Sequence, residues 1–137
     1  MSEVKKQTEL IENSALKDIV EALRLQYEGY SITRDSIVNP LTKVVEYIYD
    51  AHQAHLTNKE QCSYAGSVLV DATLEETHRR FASDVAKTNK VYLAGIKLAN
   101  LVWRRLDEVT QTQHKTPFAT LGQITDQIVE AACRAML

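Results

Sequence analysis

Glycine and proline are scarce in this chain of 137 residues, which has four of the first and two of the second. Strands need frequent turns, and turns draw on those two residues, so the shortage argues for a few long helices. The glycines, Gly29, Gly66, Gly95 and Gly122, are isolated from one another. Phosphate-binding loops need closely spaced glycines so that backbone amides can reach the ligand, which excludes P-loop and dinucleotide-binding folds. Cysteine is almost lacking too. Cys62 and Cys133 lie far apart and match no metal or redox spacing, so each reads as a small apolar residue in a reducing, intracellular setting. No uncharged apolar run approaches the roughly 18 residues of a membrane span. The start, Met1-Ser2-Glu3-Val4-Lys5-Lys6-Gln7, has no apolar stretch behind its lysines to form a signal peptide. A cytoplasmic location with no membrane partner is expected.

What is present fits one globular domain over residues 1–137, with 45% hydrophobic and 25% charged residues. That length can bury a core without disulfides or metal. Leu16, Ile19, Val20, Leu23 and Tyr27 recur at helical spacing behind Thr8 or Asn13, and Gly29 suits the left-handed residue that closes such a helix. The segment Tyr30–Val38 reads as a connection with one helical turn after Thr33. Asn39-Pro40 then gives a cap followed by a proline whose φ is preset, predicting a second helix. Its apolar face carries Leu41, Val44, Val45, Ile48, His52, His55 and Leu56.

Thr57-Asn58-Lys59-Glu60 has the spacing of a capping box and predicts a third helix, antiparallel to the second, with Cys62, Ala65, Val68, Leu69 and Ala72 facing inward. A second capping-box match, Thr73-Leu74-Glu75-Glu76, predicts a break near Ala72. From there a seven-residue repeat runs through Leu74, His78, Phe81, Val85, Thr88, Tyr92, Gly95, Ala99, Val102, Leu106 and Val109. This phasing predicts one long helix over about 74–110, roughly 55 Å at 1.5 Å per residue, the alternative being a hairpin at Thr88-Asn89. Gly95 and Ala99 form a small-residue step suited to close helix packing. Thr116-Pro117 repeats the cap-then-proline signal before a last helix bearing Phe118, Leu121, Ile124, Ile128, Ala132 and Met136. The expected fold is an all-α bundle of five to six helices.

Chemistry is hard to find. Ser67 follows Gly66 without a nucleophile elbow around it. No arginine is closely followed by a histidine, the pairing that helical-bundle ribonucleases of the HEPN type use. His52-x-x-His55 and Glu75-x-x-His78 have a spacing that metal sites employ. A di-iron bundle needs two Glu-x-x-His pairs and two more glutamates, and only Glu46 stands nearby. The two histidine sites also fall at different levels of the bundle. Neither a catalytic residue, a metal site nor a cofactor is expected, and a metal-binding bundle is the weakest of the readings.

Charge gives the one residue-level clue. The chain carries a net charge of −2, yet Arg79, Arg80, Lys87, Lys90, Lys97, Arg104 and Arg105 are opposed only by Asp84, a local net charge of +6. In the heptad phase Lys90, Lys97 and Arg104 share one outer position, with Arg80 and Lys87 in a flanking row. Such a strip can follow a DNA or RNA backbone by displacing counterions, with Trp103 beside Arg104 and Arg105 as a stacking surface. It can equally meet an acidic protein. Val91, Leu98 and Leu101, outside the seam, either widen the buried stripe or cover a second copy of the chain. The leading expectation is a non-enzymatic protein-binding module, an adaptor, inhibitor or small subunit, with sequence-independent nucleic-acid binding as the alternative.

Overall fold

A computed structural model describes residues 2–76, 85–112 and 117–137, with side chains described over 14–75, 85–111 and 121–137. The described residues form five helices and no strand, as an all-α bundle requires: α1 (Ser2–Gln26), α2 (Arg34–Gln53), α3 (Asn58–Glu76), α4 (Val85–Thr112) and α5 (Pro117–Met136). Helix α4 packs against all four others, and its pairing with α3 is the most extensive in the bundle. The core reflects this: Val91, Leu98, Ala99, Val102 and Leu106 are fully buried, together with Leu23 of α1, Ile37, Leu41, Val44, Val45 and Ile48 of α2, and Leu69 of α3.

The α3–α4 pair is antiparallel and its helices meet at glycine. A Cβ placed on Gly95 would fall 2.7 Å from the Cα of Gly66 and 3.0 Å from the Ala65 carbonyl oxygen. One placed on Gly66 would fall 2.6 Å from the Tyr92 carbonyl oxygen. The small-residue step expected at Gly95 and Ala99 thus serves packing within the chain. It also excludes a single helix over 74–110. Leu74 belongs to α3, which ends at Glu76, and the long helix begins at Val85; residues 77–84 lie outside the described set. The heptad positions His78 and Phe81 lie there too. Within α4 the seam is buried from Gly95 to Val109, but Val85 is 79% exposed. Val91 and Leu98 are fully buried, so they widen the apolar stripe rather than cover a second copy, as a helix with neighbours on several sides demands.

Two expected helix starts are displaced. Helix α2 opens at Arg34, with Thr33 as its N-cap: the Thr33 hydroxyl accepts from the Ser36 amide, and the Ser36 side chain accepts from the Thr33 amide. Pro40 therefore stands inside the helix, where it offers no N–H to the carbonyl of Ser36 four residues earlier. The Tyr27 hydroxyl supplies what proline lacks, donating to that Ser36 oxygen at 2.8 Å in a buried position. Nor does Thr73 cap a new helix. It is buried within α3, and its hydroxyl donates back to the carbonyls of Leu69 and Val70 at 3.0 and 2.9 Å. Inside a helix a threonine hydroxyl that turns back to the preceding carbonyls points away from the N–H groups that an N-cap would serve.

Three other signals fall at or beside their expected positions. Gly29 has φ +87° in the turn after α1. Helix α3 begins at Asn58, directly after Thr57, and α5 begins at Pro117. Helix α1 starts at Ser2, earlier than either Thr8 or Asn13.

Stability measurements test both packing devices. Gly66→Ala and Gly95→Ala are each expected to cost about 1–3 kcal/mol or more through overpacking against backbone. Gly122, with nothing within 4 Å of a built Cβ, is the control: Gly122→Ala should raise stability by about 0.5–1 kcal/mol in urea titration. Tyr27→Phe should cost about 1–3 kcal/mol by orphaning a buried carbonyl. Most of that cost should vanish in a Pro40→Ala background, where the restored Ala N–H reaches Ser36.

Candidate functional site

The basic row exists on α4, but the fold neutralises much of it. The Lys87 Nζ lies 3.1 Å from Oε2 of Glu28, in the turn after α1, with the lysine side chain only 16% exposed. Lys97 pairs with Asp18 on α1. Arg105 sits 4.0 Å from Glu108 and donates to Gln127 Oε1 of α5 at 3.4 Å. Lys90 and Arg104 are exposed and make no hydrogen bond or ion pair among the described residues. Arg80 lies outside those residues. Further surface pairs tie other helices together: Arg34 of α2 with Glu130 of α5, and Lys43 of α2 with Glu75 of α3. The Glu130 contact holds the Arg34 guanidinium above its ordinary pKa. Such exposed pairs are individually weak, but they consume the charges that a polyanion would otherwise meet.

Trp103 is not a stacking surface. It is 7% exposed and sits in the core, edge-on to the His52 ring of α2 at 5.2 Å between centroids. One residue along a helix is about 100° of rotation, which carries Trp103 from the outer row of Arg104 round to α2.

The two described histidines, His52 and His55, do not share a site either. His52 Nε2 lies 2.7 Å from Asp107 Oδ1 of α4, a link between α2 and α4, while its Nδ1 is buried without a partner among the described residues. His55 has left the helix. It adopts φ +56° at the end of α2, with its amide bonded to the His52 carbonyl and the Leu56 amide to that of Ala51, both at 3.1 Å. That is a Schellman closure with histidine where glycine is usual. His52 and His55 therefore share no helical face, and His78 lies outside the described residues. Among the described residues no group of three His, Cys, Asp or Glu side chains is placed to hold a metal ion. No helix among them is long and apolar enough to cross a membrane.

Two surface features went unread in the sequence. The first is a tyrosine cluster on the outer side of α3. Tyr64 is 64% exposed and stacks on Tyr47 of α2, with ring centroids 5.7 Å apart. The Tyr47 hydroxyl donates to Gln61, and partial burial raises its pKa above the ordinary tyrosine value. Beside Tyr64, a cleft of about 450 Å³ is lined by Lys59, Glu60, Ser63, Ser67 and the half-buried Tyr92. Tyr92 also borders a second hollow with Val85, Thr88 and Asn89. Nothing in the apolar periodicity marks this surface, because Tyr64 falls off the buried stripe of α3.

The second feature is a groove of about 430 Å³ between α1 and α4. Its apolar lining is Ala22, Leu25, Leu93 and Ala94, its α1 rim Asp18 and Glu21, and its α4 rim Lys90 and Lys97.

No protein-family model, curated protein or solved structure matches the chain.

Cys62 offers a direct check on the local chemistry. Its thiol donates to Asn58 Oδ1 at 2.8 Å, and burial pushes its pKa from 9.0 up to about 11. In a Cys133→Ser background, Cys62 should react with a thiol reagent at neutral pH far more slowly than the unfolded chain does. The folded state favours the neutral thiol, so this contribution to stability is complete below pH 9 and is lost as pH rises through 9 to about 11.

Proposed function

We propose that this chain is a non-enzymatic helical module that works by binding another protein. The observation that carries this reading is the exposed Tyr64, stacked on Tyr47 at the edge of a cleft backed by Tyr92. Tyrosine offers a large, rigid contact area with a polar tip and loses little conformational entropy on binding, and tyrosines are enriched in protein interfaces. The serine hydroxyls beside Tyr64, Ser63 and Ser67, can accept hydrogen bonds from different partner geometries. Asp18 and Glu28 offset the α4 cations, and the buried Trp103 takes away the expected stacking ring. Both features favour a protein partner over a nucleic-acid backbone. On this reading the domain is an adaptor, inhibitor or small subunit within a larger assembly.

Affinity capture with and without nuclease, joined to direct titration, tests the assignment. The captured partner should survive nuclease treatment, and Tyr64→Ala should weaken its binding by at least about tenfold, equivalent to about 1.4 kcal/mol. The purified chain should show no salt-sensitive binding to single- or double-stranded DNA or RNA. Steeply salt-dependent binding to such a strand, lost in Lys90→Glu/Arg104→Glu, would replace this function with backbone recognition.

A further inference from the structure

The α1–α4 groove has a charge arrangement that fits one partner: itself. Asp18, Glu21 and Leu25 follow one another along α1, and Glu28 comes in the turn just beyond it, at steps of three, four and three residues. Lys87, Lys90, Ala94 and Lys97 follow the same steps along α4. Steps of three and four keep side chains on one helix face, so the four α4 residues make one row and Asp18, Glu21 and Leu25 another; the contact of Glu28 with Lys87 extends the second row past the end of α1. The two rows run antiparallel, in a register fixed by Asp18 with Lys97 and Glu28 with Lys87. In the middle of the rows, Glu21 and Lys90 are left over. Both are exposed on the groove's rims, and neither has an ion pair or hydrogen bond among the described residues. Between the rims Leu93 is 49% exposed, above a floor where Ala22 and Ala94 are 3% and 2% exposed.

We infer that a second copy of this chain docks face to face on the α1–α4 groove, about a two-fold axis running along it. The symmetry selects the arrangement. An axis along the groove lays the partner's α1 over α4 and the partner's α4 over α1, so each acidic row meets a basic row. An axis across the groove stacks acid on acid and base on base, which costs free energy. In the favourable arrangement Glu21 of each copy faces the basic row that holds Lys90 in the other, and the lysine stem spans the single turn between their levels. Leu93 of each copy settles at the level of Ala22, where small side chains leave room for it. The groove lies on a different flank of α4 from Tyr92, so this association is independent of the tyrosine cleft.

Light scattering coupled to size exclusion, at low ionic strength, reads the outcome. The chain should be a dimer that dissociates with added salt. Glu21→Lys and Lys90→Glu should each be monomeric, with circular dichroism unchanged. An equimolar mixture of the two variants should form heterodimers, because both contacts then join opposite charges, and the double variant should dimerise on its own. Tyr64→Ala should dimerise as the parent does, which separates this face from the proposed partner surface. A monomeric parent would overturn the inference. So would a dimer indifferent to either charge reversal, or single variants that remain monomeric when mixed.

Discussion

The close crossing of Gly66 and Gly95 is the contact on which the rest of the bundle depends. With no Cβ on either residue, α3 and α4 approach until a methyl group at either position would collide with backbone. That closeness draws α4 into the middle, where it touches every other helix. A central helix must be apolar over more than one seam, which is why Val91 and Leu98 are buried beside Ala99, Val102 and Leu106. Only a narrow outer arc of α4 is left for charge, and it is confined to Lys90, Lys97, Arg104 and their flanking residues.

The fold class was legible because its evidence is distributed. Few turn residues, repeated helical periodicity and the start at Pro117 all point one way, and no single error could undo them. Boundaries were less legible because they depend on partners far along the chain. Asn39-Pro40 has the local form of a helix start, yet a stronger capping box at Thr33 and Ser36 opens the helix earlier. The fold tolerates the internal proline because Tyr27, at the close of another helix, reaches the orphaned Ser36 carbonyl. Thr73 failed as a cap for a related reason: it lies inside α3, with its hydroxyl turned back to the carbonyls of the preceding turn. The unbroken heptad phase across Leu74 and Val85 carried no information about whether the chain reverses between them.

The candidate site divides along the same line. A row of cations on one helix is visible in sequence because its spacing is local. The acids that meet it are not, because Asp18 and Glu28 reach Lys97 and Lys87 only when α1 lies antiparallel to α4. Read alone, the row resembles a polyanion track. Seen with α1, it is half of a matched pair. Trp103 shows the same gap at the scale of one residue, since adjacency to Arg104 in sequence says nothing about which helix the ring faces.

Charge matching of this kind has a consequence for association. Two rows with identical spacing, opposite sign and opposite direction form a face that is complementary to its own copy after a two-fold rotation along the rows. In the pairing proposed above, folding and self-recognition are coupled: the ion pairs at Asp18 and Glu28 mark the register of α1 on α4, and that register fixes where Glu21 and Lys90 stand on the rims. Surface ion pairs are worth little singly, so they do not hold the bundle together; the buried apolar residues do that. Freed from that duty, the charges act through specificity, favouring one orientation of a second copy and opposing the alternative in which like rows meet.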